Sequence, residues 1–380
     1  MSESGGAVRR IRGRVPAWAR IVVSLWAMWM LSVPPQRLVV PGPRREVGTL
    51  NPKMGVHTRL TDEVEEWKIQ QTLALVRQMG APWVVEYFPW AYYEPSPGRY
   101  EWGHADVVVD HAVAQGLTVL ARIDYVPEWA RPEDTTTRYL DEDGYDAYAA
   151  FVGAFVEHFA GRVQHVIIWN EPNLSFEWGY RQPDPEAYTE LLRRAYQSAK
   201  EADPNIVVLA AGLAPTLAPV GDPWGMNELI YLQRMYDADA GRWFDGLAAH
   251  SYGLSFGADE PPAQDRLNWR RVELLRDVMV ANGDAAKQVY VTEGGWNDHP
   301  RWTKAVSSYD RIQNTVDAYE MALHTWDWCA ALCVWAFRYP WPARSFQDGF
   351  TLVTPEFVPK PIYSELARYA QGEPFEYLER

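Results

Sequence analysis

Cysteine is nearly absent: the 380-residue chain has two, Cys329 and Cys333. Two thiols inside one apolar run exclude a disulfide scaffold, and no Cys or His spacing fits a metal site. They read as buried free thiols. A membrane-length apolar run is also missing at the N-terminus, where residues 21–33 hold thirteen residues against the roughly 20 of a comfortable span. No Gly-x-Gly-x-x-Gly follows the first strand-like run, which argues against an open dinucleotide-binding sheet. Gly (26) and Pro (28) are too few for collagen or a linker protein. A hydrophobic content of 47% is too high for a disordered chain.

Basic charge is outnumbered by acidic charge outside one segment. Residues 1–45 hold eight Arg against one Glu and carry +7, so the rest carries −21 of the net −14. An acidic body repels phosphate backbones, which excludes nucleic acid as a partner. In the N-terminal segment Arg9, Arg10, Arg12, Arg14 and Arg20 precede the short apolar run, and Pro34 and Pro35 end it. That shape fits the charged and apolar regions of a secretory signal. No Ala-x-Ala cleavage site follows, so an uncleaved membrane anchor is the alternative. The expected organisation is a targeting or anchor segment and spacer over 1–45, then one catalytic domain over 46–380. The expected location is outside the cytoplasmic membrane, secreted or anchored.

What the chain has in excess is aromatic surface: 19 Trp, 21 Tyr and 12 Phe. Trp at this density exceeds the needs of a core. Where it falls depends on the fold. From residue 54 onward, short β-branched and aromatic runs alternate with 3.6-period stretches. The runs predict strands at 54–57, 83–88, 118–125, 165–169, 206–211, 244–250, 288–292 and 331–337. The periodic stretches predict helices at 62–79, 105–115, 146–160, 184–202, 227–236, 267–281, 309–326 and 362–370. Thr61-Asp62 and Asp184-Pro185 suit helix starts; Gly80, Gly116 and Gly283 suit helix ends. Eight strands alternating with eight helices predict an α/β fold, a single (β/α)₈ TIM barrel.

In such a barrel the chemistry sits where strands open into loops at their carboxyl ends. Strand four ends in Trp169-Asn170-Glu171-Pro172 and strand seven in Thr292-Glu293-Gly294-Gly295-Trp296. The two Glu stand three βα units apart, nearly opposite across the mouth. Facing carboxylates can cleave a glycosidic bond, one as proton donor and the other as nucleophile or water activator. The donor must start protonated, which partial burial and a neighbouring negative charge favour.

These segments resemble the large clan of retaining (β/α)₈ glycoside hydrolases that carry both Glu on strands four and seven. The resemblance covers nearly the whole chain from residue 54. It implies acid/base catalysis by Glu171 and nucleophilic attack by Glu293. It implies that Asn170 bonds the sugar 2-hydroxyl. Within His250-Ser251-Tyr252 it implies that the Tyr252 hydroxyl touches the nucleophile. It makes Trp335 the floor under the cleaved sugar. Asp348-Gly349-Phe350 and Pro359-Lys360-Pro361 match the common closing segment. The run Tyr125-Val126-Pro127-Glu128-Trp129-Ala130 is similar to family 39 and family 5-like members, some of which act on exopolysaccharide or xylan. One departure stands out: Glu86-Tyr87-Phe88 lacks the Arg usual in the cellulase branch. Arg122 either supplies that charge or forms a salt bridge with Asp124 or Glu86. His57 either bonds a sugar hydroxyl or is a hydrogen-bonded histidine of the barrel mouth. Glu177 reads as a surface carboxylate.

The implied reaction is retaining hydrolysis of a β-linked oligo- or polysaccharide, with no cofactor or metal in any step. The alternatives are a silent carbohydrate-binding barrel and a transglycosylase using the same site. Trp90, Tyr92, Tyr93, Trp129, Trp178, Tyr180, Trp224, Trp296, Tyr339 and Trp341 all fall in post-strand loops and are expected to line a sugar groove. Among them Trp129, Trp178 and Trp296 are expected to contact substrate.

Overall fold

Eight short parallel strands pair in sequence order, and the last closes on the first, so no sheet edge is left. The computed structural model describes residues 16–18, 21–24, 42–339 and 342–377. The chain divides into two units, Met1–Val40 and Pro41–Arg380. In the first, residues 17–18 and 21–24 are helical; of the expected targeting segment, residues 1–15, 19–20 and 25–41 lie outside the described residues. No helix among the described residues is long and apolar enough to cross a membrane.

The second unit is the barrel. Its strands are β1 (Met54–His57), β2 (Trp83–Pro89), β3 (Thr118–Asp124), β4 (His165–Ile168), β5 (Val207–Ala210), β6 (Gly246–Tyr252), β7 (Gln288–Gly295) and β8 (Cys329–Val334). The crossover helices are α1 (Glu66–Met79), α2 (Gly103–Ala114), α3 (Glu142–His158), α4 (Pro185–Ala202), α5 (Glu228–Asp237), α6 (Val272–Ala281), α7 (Ser308–His324) and α8 (Pro361–Gln371). The strands are apolar on both faces because one faces the barrel axis and the other the helices. Inside, Val85, Leu120, Ile167, Leu209, Ala248, Tyr290, Ala331 and Cys333 fill the axis. Trp83, His165 and Tyr290 plug the amino-terminal end with ring centroids 5.3–6.2 Å apart. Burial there lowers the His165 pKa to about 4. Both cysteines are buried and free, as expected.

The helices do more than cover the sheet. In α4 the Asp184 carboxylate accepts the Ala187 N–H at 2.9 Å, and Pro185 begins the first turn. Tyr188, Leu191, Leu192, Ala195 and Ala199 recur at helical spacing and are buried. Burying each Leu contributes about 1.5–3 kcal/mol, and Leu191→Ala would cost about 2–5 kcal/mol. The Tyr188 hydroxyl donates to the Ile168 carbonyl (2.8 Å) and accepts from Ala211 N–H (2.7 Å). The Tyr148 hydroxyl of α3 likewise donates to the Ile123 carbonyl at 2.6 Å. Two buried tyrosines thus fix the ends of β3, β4 and β5 where the loops begin.

Several boundaries differ from the sequence expectation. A 3₁₀ turn, Leu60–Asp62, precedes α1, which starts at Glu66 rather than at residue 62. The Thr61 N–H goes to Glu86 instead (3.1 Å), and Asp62 is held by Arg59 and the Tyr87 hydroxyl. Strand β8 ends at Val334, three residues short of the expected 337, while β6 and β7 run on to Tyr252 and Gly295. The extensions carry polar side chains that a hydrophobic run does not reveal.

Candidate active site

The loop after β4 leaves in a strained path. Trp169 and Glu171 have φ of 76° and 41°, in the left-handed region that costs a non-glycine residue about 1–3 kcal/mol. Neighbours hold the path. Trp169 N–H donates to the Ile123 carbonyl (3.0 Å) and Glu171 N–H to the Gly212 carbonyl (3.0 Å). The Trp169 indole donates to the Glu177 carbonyl (2.9 Å). Buried Asn173 spans the next loop, donating to the Ala214 and Met226 carbonyls and accepting from Ala214 N–H.

On the opposite side a bulge aims the second carboxylate. The β6–β7 register steps from Ala249↔Val291 to His250↔Glu293, so Thr292 is an extra residue. Such an insertion re-aims the side chains beyond it. It sets Glu293 level with His250 at the mouth.

The two Glu then converge with His250. Their carboxylate oxygens and a ring nitrogen of His250 all lie within 4.8 Å of one another. Each Glu side chain is 15% exposed. His250 Nδ1 is 2.8 Å from Glu171 Oε1, and the Tyr252 hydroxyl donates to Glu293 Oε1 at 2.6 Å. Glu293 Oε2 also lies 3.7 Å from Arg122 Nη1 and 3.9 Å from His57 Nε2. Burial and then the Glu293 charge hold the Tyr252 phenol well above its ordinary pKa, so it remains a donor. Burial opposes a charge on His250, but Glu293 and the bond to Glu171 outweigh it and raise its pKa. Burial and the charge of Arg122 push His57 well below the ordinary range, so it is neutral. Glu171, His250 and Glu293 are close enough to hold a cation, yet these atoms already engage one another and Tyr252.

Arg122 answers both readings made of it. Its Nη1 donates to Asn170 Oδ1 (2.9 Å) beside Glu293, and its Nε pairs with Asp124 Oδ2 (3.1 Å). Glu86 is not its partner; it accepts from Thr58 Oγ1 and Leu60 N–H, both at 2.7 Å, and from Thr61 N–H. Asp124 Oδ2 also meets Arg138 (3.0 Å), which pairs with Glu177 at 2.9 Å. A buried chain of charges therefore runs from Glu293 through Arg122, Asp124 and Arg138 to Glu177. The surface reading of Glu177 is corrected: it is 9% exposed, and burial raises its pKa to about 7. Arg138 carries no sequence signal, because it sits fourteen residues past the end of β3. Gly212 was missed as well. A methyl there would overlap the His250 ring, and a glycine just past a strand is the signal that could have revealed it.

The aromatic groove is smaller than expected. Trp90, Tyr93, Trp178 and Trp296 are buried. Trp178 packs edge-on to Trp169, and Trp296 packs on Trp269 with its indole donating to the Phe256 carbonyl at 2.7 Å. The expected substrate contact of Trp178 and Trp296 is therefore corrected: loops fold back over strand ends and need cores of their own. Trp129 is half-buried against Trp90, with its indole on the Glu94 carbonyl. Trp335 precedes a cis peptide bond to Ala336, is half-buried and packs on Phe350 and Tyr339. Tyr92, Tyr180 and Trp224 are exposed, Tyr339 is half-buried, and Trp341 lies outside the described residues.

Comparison with known proteins agrees with the barrel fold. The beta-galactosidase family model Glyco_hydro_42 matches residues 60–139. No curated protein matches the chain. A family 39 glycoside hydrolase from Bacteroides cellulosilyticus WH2 superposes with a TM-score of 0.69 at 21% identity, covering 87% of this chain and 65% of that one. A monomeric beta-xylosidase from Caulobacter crescentus CB15 gives 0.61 at 20%, covering 85% and 69%. GH5_18 from Streptomyces cattleya in complex with GlcNAc gives 0.63 at 15%, covering 86% and 82%. At these identities the likeness is one of fold. The chain spans 65% of the length of the Bacteroides protein.

Proposed function

We propose that the chain is a glycoside hydrolase that cleaves a β-linked oligo- or polysaccharide with retention. The observation that carries this reading is the approach of the Glu171 and Glu293 oxygens to within 4.8 Å. Retaining sites hold their carboxyl groups about 5–5.5 Å apart, and inverting sites leave about 6.5–9.5 Å for a water.

The surroundings divide the roles. Glu293 accepts the Tyr252 hydroxyl and lies near Arg122, contacts that orient it for attack on the anomeric carbon. Glu171 Oε1 lies 2.8 Å from His250 Nδ1, a contact that orients it for proton transfer. Glu171 protonates the departing oxygen as the bond to Glu293 forms. It then takes the proton of the incoming water, which displaces Glu293 and restores both groups. Arg122 fixes the Asn170 carbonyl oxygen, which turns the amide N–H groups toward the sugar. Trp335 forms the floor.

The test is a panel of β-linked polysaccharides and aryl glycosides against wild type, Glu171→Ala and Glu293→Ala. Both variants should lose most turnover, and azide should rescue Glu171→Ala on an activated substrate. Full activity of Glu293→Ala, or an inverted anomer as first product by NMR, would refute the assignment. We further place the barrel outside the cytoplasmic membrane, on the basic and apolar N-terminal pattern; a purely cytosolic protein on cell fractionation would overturn that.

A further inference from the structure

The loops after β4 and β5 are knitted into one ridge beside Glu171. Leu174 N–H donates to the Glu171 carbonyl (2.9 Å), Ser175 N–H to the Trp224 carbonyl (2.9 Å) and Met226 N–H to the Asn173 carbonyl (2.9 Å). Leu174 and Gly225 form an antiparallel bridge. Tyr180 N–H returns to the Ser175 carbonyl (2.7 Å) after Gly179, which is left-handed and too close to Tyr139 to carry a side chain. Asp222 caps the Trp224 N–H at 2.7 Å. Pro215, Pro219 and Pro223 stiffen the second loop.

This braced ridge holds Trp224, Tyr180 and Phe176 out to solvent, 68%, 65% and 49% exposed. Large apolar side chains exposed together on ordered backbone mark an interaction surface. The ridge is also almost uncharged. Residues 173–180 contain only Glu177, which is buried against Arg138, and residues 211–227 only Asp222. No basic residue stands in either stretch to draw an anionic lipid surface.

We infer that this ridge binds neutral sugar units on the leaving-group side of the cleaved bond, stacking them on Trp224, Tyr180 and Phe176. The inference rests on the proposed glycosidase reading. The side follows from the chemistry: Glu171 protonates the departing oxygen, so the departing portion of the substrate lies toward the loop that Glu171 begins. Pyranose C–H faces pack on flat rings while their hydroxyls stay solvated, which suits half-exposed aromatics without fixed polar partners. The enzyme is accordingly selective for substrates with several sugars beyond the cleaved bond.

The test compares kcat/KM for oligosaccharides of two to six units with kcat/KM for the aryl glycoside of the same terminal sugar. In wild type the ratio rises with length. In Trp224→Ala and Tyr180→Ala/Trp224→Ala it falls about tenfold for the longer oligosaccharides, mainly through KM. Both changes are at exposed positions, so the melting temperature serves as the control for folding. An unchanged ratio overturns the inference. So does vesicle flotation that is lost in Trp224→Ala while the ratio stays the same, which would make the occupant a lipid surface. Wild type inactive on every glycoside refutes the hydrolase reading itself, and the ridge assignment with it.

Discussion

Replacing Gly212 by Ala tests how the site is built without touching either carboxylate. Gly212 follows β5, and its backbone is not left-handed, so an alanine can adopt its conformation. The obstacle is space. The added methyl would overlap Cδ2 and Nε2 of the His250 ring, which is 4% exposed and has no room to retreat. Either the ring turns away from Glu171 or the end of β5 moves. The second route also disturbs Glu171, whose N–H bonds the Gly212 carbonyl at 3.0 Å. Overpacking of this kind costs about 1–3 kcal/mol of stability. Displacing a reacting group by about 1 Å costs on the order of 10²-fold in rate. Gly212→Ala should therefore lower kcat on an aryl glycoside by about 10²-fold and lower the unfolding free energy in denaturant. Removing the ring separates the two effects. Gly212→Ala/His250→Ala should be no less stable than His250→Ala alone, a coupling of at least about 1 kcal/mol, while activity stays low. Wild-type kcat in folded Gly212→Ala, or additive stability losses, would refute the account.

Three further outcomes follow from the same geometry. His250 keeps its proton above its ordinary 6.5, so the alkaline fall of kcat/KM should lie above pH 6.5 and should move in His250→Asn; a fall at or below 6.5 would contradict the raised His250. Glu177, raised from 4.5 to about 7, resists ionisation in the fold, so its effect on stability worsens as pH rises through that window. Glu177→Gln should gain about 3 kcal/mol relative to wild type between pH 4 and pH 8 in denaturant titrations, and a constant difference would contradict the burial. Tyr252→Phe removes the 2.6 Å bond to Glu293 and should lower kcat/KM by about 10- to 100-fold in steady-state assays; no change would remove Tyr252 from the mechanism.

The barrel was legible because parallel strands buried on both faces are apolar runs, and runs alternating with periodic helices leave few topologies. Glu171 and Glu293 were legible because they follow such runs directly, whereas Asn170, His250 and Tyr252 were singled out only by the resemblance of their motifs. The remainder depends on contacts between segments far apart in sequence. The bulge at Thr292 appears only when β7 is laid against β6. Arg138 and Glu177 matter only because their loops meet over Asp124. The position of an indole after a strand says nothing of whether the loop folds back on it. Trp178 and Trp296 are covered in this way, and Trp224 is not.

The two cysteines have a use that their chemistry alone would not suggest. Cys329 is buried and its pKa is pushed up to about 12; Cys333 is buried and raised as well. Neither is a reactive thiolate at neutral pH. A thiol introduced on the ridge, as in Val220→Cys at an 88% exposed site, would then be the single attachment point for a fluorophore. The label could report arrival of a saccharide at Trp224 directly, in a Glu171→Ala background where turnover is suppressed.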